Sequence, residues 1–159
     1  MNIRILPIAL TLSLTTACVP VRDAGEAEAT GFAEQERELH ALVNRHRAEL
    51  GLSPLAYDPR IADVARAHSQ AMARGVQPFG HARFPARLAL LRQRVGAKAA
   101  AENLAANNAP PDRSSLQAFR GLLASPEHRR TMESAYDRTG VGVARSATGE
   151  FFHTQIFVR

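Results

Sequence analysis

Four short segments of this 159-residue chain place histidine or glutamate where chemistry is possible. They are Ala67-His68-Ser69, Phe79-Gly80-His81, Ala101-Glu102-Asn103-Leu104-Ala105 and Ser125-Pro126-Glu127-His128-Arg129. Imidazole and carboxylate gathered in one place have three uses. They can hold a divalent cation such as Zn²⁺, work as an acid/base pair, or satisfy each other by hydrogen bonding in a partly buried site. Taken one at a time, the same residues have plainer explanations. Glu102 stands in an alanine-rich stretch, where a glutamate is ordinarily a surface residue. His81, beside a glycine in a loop, is ordinarily solvated. His68 falls on an apolar helix face, where a histidine is often a satisfied core group. Glu127 lies in a first helical turn, where the helix dipole favours any carboxylate. His128 can serve simply to fix that turn to the next helix.

Chemistry of other kinds is largely excluded. The one cysteine, Cys18, closes a segment with the three parts of a secretory signal: Arg4, the apolar run Ile5 to Leu14, and the small residues Thr15, Thr16 and Ala17. The run is roughly a dozen residues, short of the about 20 that cross a bilayer. Leu14-Thr15-Thr16-Ala17-Cys18 resembles a lipobox, where bacteria lipidate a cysteine and cleave before it, although Thr15 occupies the usual leucine position. The expectation is export. Either the protein is held by lipid on Cys18 at the periplasmic face of the envelope, or it is secreted after cleavage near Ala17. With Cys18 in the signal, the folded body has no disulfide, no cysteine nucleophile and no cysteine-based zinc site. Nor does it carry Gly-x-Ser-x-Gly or His-Glu-x-x-His. The formal charge is +5, nearly all of it arginine, with Lys98 the single lysine. The arginines are scattered and form no run interleaved with aromatics, so nucleic acid is not an expected partner.

The elements that must position these groups follow from spacing. After the signal (1–18), residues 19–31 are small, polar and acidic and read as a flexible tether. Residues 32–159 read as one domain. Phe32, Leu39, Leu42, Val43, His46 and Leu50 give a first helix, stopped by Gly51. Asp58-Pro59 opens a second, with Ile61, Val64, Ala65, His68 and Met72 on one stripe and Gly75 at its end. Residues 77–82 form a loop and Pro85 to Val95 a third helix. Ser114 or Ser115 is expected to cap a fourth, and Ser125-Pro126 restarts a helical turn. Only Gly140 to Ala144 and Phe151 to Val158 read as strands, with a turn at Gly149. Helices first and strands last point to an α+β fold.

The ordered series of segments, continued by Thr139-Gly140-Val141-Gly142-Val143 and His153-Thr154-Gln155-Ile156-Phe157, resembles the bacterial branch of the CAP superfamily, the SCP or pathogenesis-related-1-like domains. The resemblance covers Phe32 to Arg159. It implies an α-β-α sandwich with a small antiparallel sheet between helices, and a cleft whose floor gathers His and Glu. Glu102 matches the glutamate of the family's Glu-Asn-Leu/Ile-Ala motif, and His81 matches its cleft histidine. The cleft set carried over is His68, His81, Glu102, Glu127 and His128. His81 and His128 are the metal candidates, and Glu102 and His128 the catalytic ones. This chain also departs from the pattern. The family's second cleft glutamate has no clear counterpart, Glu127 being only near it. Its second histidine falls nearer Phe152 than His153, on the other face of a strand. Leu122 stands where a tryptophan is common.

Three functions are consistent with this. The first is a binding module that holds a lipid or sterol, a cell-wall fragment or a protein in the cleft. The second is a hydrolase in which a metal on His81, Glu102 and His128 activates water, or Glu102 acts as a base. The third is a non-catalytic structural or stress protein of the envelope.

Overall fold

A computed structural model describes the backbone of residues 24–159 and the side chains of residues 32–159. The signal segment with Cys18, and residues 19–23, lie outside the described residues. The helices are α1 (Ala24–Glu49), α2 (Pro59–Ala73), α3 (Phe84–Val95), α4 (Ser114–Ala124) and α5 (Pro126–Glu133). The strands are β1 (Ala56–Tyr57), β2 (Ala100–Asn107), β3 (Arg138–Arg145) and β4 (Phe151–Val158), in the spatial order β1-β3-β4-β2. Among the described residues no helix is long and apolar enough to cross a membrane.

The sandwich is built on strand alternation. On β4, Phe151 and Phe157 face one way and pack with Leu39, Val43, Leu122 and Met132 of α1, α4 and α5. Ile156 and Val158 face the other way and meet Ile61, Val64, Ala65 and Leu91 of α2 and α3. On β3, Val141 and Val143 enter the first of these cores. Gly140 and Gly142 face α2, and a Cβ on either would fall inside that helix's backbone, at Ala62 and Arg66 respectively. The two glycines therefore let α2 lie directly on the sheet. Asp58 starts α2 as expected: its carboxylate accepts from the Arg60 N–H at 2.9 Å. The Arg60 side chain, hydrogen-bonded to the same carboxylate, helps hold the Asp58 pKa below its ordinary value.

Three expectations are corrected. Residues 24–31 of the expected tether belong to α1, because Ala24, Glu26, Ala27, Glu28 and Ala29 are strong helix formers. The segment around Glu102 is a strand, β2, paired with β4 over its whole length from Ala100↔Val158 to Asn107↔Phe151. Its alanines and asparagines are poor strand formers, and the pairing overrides them. The expected antiparallel sheet is formed by β3, β4 and β2, and the two residues of β1 join its edge parallel to β3. Finally, α4 is not capped by a serine; Arg113 holds the N-cap position. Ser115 instead donates to the Gln35 carbonyl at 2.8 Å, tying α4 to α1, and Ser114 donates to Asn107 Oδ1 at 3.2 Å.

Candidate functional site

β2 is an edge strand, so its side chains reach both faces of the sheet at an open margin. Glu102 pairs with Ile156 and faces α2 and α3. There its side chain is 1% exposed, and a carboxylate so enclosed must be compensated. Three groups meet it. Arg87 donates through Nε to Oε2 at 2.8 Å and through Nη2 to Oε1 at 2.7 Å, the two-pronged geometry that suits guanidinium to carboxylate. His81 Nδ1 lies 3.0 Å from Oε1. His68 Nε2 lies 3.9 Å from Oε1 and 3.1 Å from the Gly80 carbonyl. A ring nitrogen that faces a carboxylate or a carbonyl must carry the proton. By this assignment His81 is protonated on Nδ1 and His68 on Nε2. His81, with a side chain 55% exposed, then presents Nε2 as its free nitrogen. Burial, then the Arg87 charge, lowers the His68 pKa, which favours the neutral ring.

The structure thus unites His68, His81 and Glu102 and leaves out the others. Asn103, the next residue and hence on the opposite face, donates to the His128 carbonyl at 2.9 Å. The His128 ring is bonded to Ser125 Oγ at 2.8 Å, fixing its own turn. Glu127 is exposed in the first turn of α5. His153, which could not be matched to the family's second histidine, is enclosed and bonded to Ser114 at 3.2 Å. His81 and His128 therefore do not form the metal pair expected from sequence. Among the described residues no group of three His, Cys, Asp or Glu is placed to hold a metal ion. The donors that do converge do not fit a dication, because Arg87 already takes both oxygens of Glu102.

The residue that sequence reasoning missed is Arg87. Its signal was present: Arg87 lies four residues before the buried Leu91, so it shares the apolar stripe of α3. An arginine on such a stripe calls for a buried anion.

Two grooves flank the cluster. One, of about 320 Å³, runs over the β2 edge below α4 and α5; its walls include Phe79, Leu104, Ala118, Leu122 and His128. The other, of about 290 Å³, lies between α2 and α3, with Val64 and Leu90 at its base and Arg83 and Arg94 on its rim.

Acid should weaken the fold. Burial lowers the His153 pKa to about 4 and also lowers that of His68. Both folded-state values lie below the unfolded value of about 6.5, so the folded state favours the neutral rings. Their contribution is complete above pH 6.5 and is lost as pH falls towards 4, with His153 alone accounting for about 3 kcal/mol. Urea midpoints measured between pH 7 and about 4 should fall steadily. A flat profile would mean that neither ring opposes protonation.

Comparison with known proteins agrees with this architecture. Residues 40–158 match the model of the cysteine-rich secretory protein family, CAP. An extracellular SCP-domain protein from Bacillus anthracis is 28% identical, with a TM-score of 0.70; the match covers 89% of this chain and 45% of that one. This chain therefore spans less than half the length of that protein. An outer surface protein from Borrelia burgdorferi gives a TM-score of 0.67 at 18% identity, covering 79% of this chain and 92% of that one. A cysteine-rich secretory protein from Staphylococcus aureus gives 0.63 at 20% identity, covering 80% and 39%. The latter two are similar in fold alone. No curated protein matches the chain. The family model spans β3, β4 and every segment that carries a cleft residue, and on that ground the chain belongs to the CAP family.

Proposed function

We propose that this protein is an exported ligand-binding CAP domain that holds the apolar part of a lipid in the groove over the β2 edge. The groove itself carries this assignment. Leu104, Ala118 and Leu122 stand in its walls beside the polar Asn107, Gln117, Ser125 and His128, and Phe79, also on the lining, is 53% exposed. An aromatic ring left that open beside an apolar trough marks a place where apolar surface can be covered. The neighbouring carboxylate is committed to Arg87 and His81, which favours binding over hydrolysis. Export is supported by the signal-like segment and by relatives that are themselves extracellular or outer surface proteins. The lipobox-like Cys18 supports attachment to the envelope through lipid, and mass spectrometry of the mature N-terminus tests it.

Gly121 gives a clean test of the groove. It lies on the groove wall, and a Cβ added there meets nothing within 4 Å. Gly121→Ala should stabilise the helix by about 0.5–1 kcal/mol. Gly121→Phe should fill the groove and weaken binding of a fluorescent fatty acid by about tenfold or more, at a melting temperature no lower than that of the wild type. Undiminished binding in Gly121→Phe would remove the groove as the lipid site.

A further inference from the structure

We propose that Arg87 is the permanent cation of the cleft, standing where a divalent ion would have to meet Glu102, so that this cleft works without metal. The inference does not depend on the lipid assignment. It rests on which groups already meet the Glu102 carboxylate. Both Glu102 oxygens accept from the Arg87 fork, at 2.7 and 2.8 Å. The His81 nitrogen nearest the carboxylate carries a proton directed at Oε1, 3.0 Å away. The His68 nitrogen nearest it directs its proton at the Gly80 carbonyl. A metal ion requires unprotonated nitrogen and free carboxylate oxygen at one point, and among the described residues no group of three such side chains is so placed.

The guanidinium is also fixed. Nη1 donates to the Ala82 carbonyl at 2.7 Å, and Cζ lies 5.8 Å from the centre of the Phe84 ring. The Arg87 side chain is 10% exposed against 1% for Glu102. Arginine stays charged at any pH a protein survives, so it cannot lose its proton to make room, as a lysine could. An entering dication would have to expel the guanidinium from its acceptors and leave two positive charges in one enclosed place. Arg87 thus does the neutralising that a metal does elsewhere, and it holds His81 in one tautomer through the shared carboxylate.

The test uses zinc chloride alone with the full domain. In the wild type, melting temperature should not respond to zinc up to about 1 mM beyond any effect that His81→Ala also shows. A saturable rise that His81→Ala abolishes would overturn the proposal. A rise that survives His81→Ala places zinc elsewhere and leaves the proposal standing. In Arg87→Met the carboxylate is released, and zinc should raise the melting temperature by about 5 °C, an effect lost in Arg87→Met/His81→Ala. A folded Arg87→Met variant that ignores zinc would also overturn it. Should Arg87→Met fold only with zinc present, that rescue supports the proposal; if it folds in neither condition, the wild-type titration decides.

Discussion

Alanine at Gly142 is expected to destabilise the domain by about 3 kcal/mol or more, enough to leave it largely unfolded at room temperature if its stability is ordinary. The reason is which atoms would collide. Most overpacked side chains find relief by turning neighbouring rotamers. At Gly142 the new methyl would meet the backbone of Ala65 and Arg66, and at Gly140 that of Ile61 and Ala62. Backbone cannot turn aside, so α2 would have to lift from the sheet. Lifting it would break the bonds from Ser69 Oγ to the Gly142 carbonyl at 2.9 Å and to Thr154 at 2.8 Å. It would also carry His68 away from Gly80 and Glu102. The effect is specific to position, because Gly121→Ala adds the same methyl to open space and should stabilise. Urea unfolding followed by circular dichroism measures both. A Gly142→Ala variant within about 1 kcal/mol of wild type would mean that α2 has room to move on the sheet.

What the sequence could say about this fold depended on how local each signal was. Asp58-Pro59 announced α2 because an N-cap and a first-turn proline act within one turn, and the structure has both. Phe151 to Val158 announced a strand because its residues prefer pleated surfaces. The β2 strand was illegible for the opposite reason. Ala-Ala-Glu-Asn-Leu-Ala-Ala-Asn becomes extended only because β4, some fifty residues later, offers it a full row of partners. The same dependence hid part of the site. Glu102 and His81 could be singled out only because their segments resemble the family's motifs. Whether His128 joined them turned on the side from which the β2 edge is approached, and that is a property of the assembled sheet. Likewise Ser114 and Ser115 looked like caps, but distant partners at Gln35, Asn107 and His153 claimed their hydroxyls.

The second large effect concerns the pair at the centre of the site. Arg87→Met alone should cost about 3–5 kcal/mol, because it leaves the enclosed Glu102 carboxylate with His81 as its one close partner. Glu102→Gln alone should cost a comparable amount, since the amide would turn an N–H towards the guanidinium and leave that charge short of an acceptor. The double variant Arg87→Met/Glu102→Gln removes both charges and should recover most of the loss. Enclosed ion pairs replaced whole are often neutral for stability, whereas pairs broken by half are not. The coupling from the four urea curves should therefore be about 2 kcal/mol or more. If the two single losses simply add in the double variant, Arg87 and Glu102 do not act as one unit. The contacts at 2.7 and 2.8 Å would then describe proximity without mutual dependence, and the guanidinium could not stand in for a metal ion. Strong coupling would mean that the cleft's charge balance is complete within the chain. On the proposed reading, ligand selection would then fall to the groove over the β2 edge.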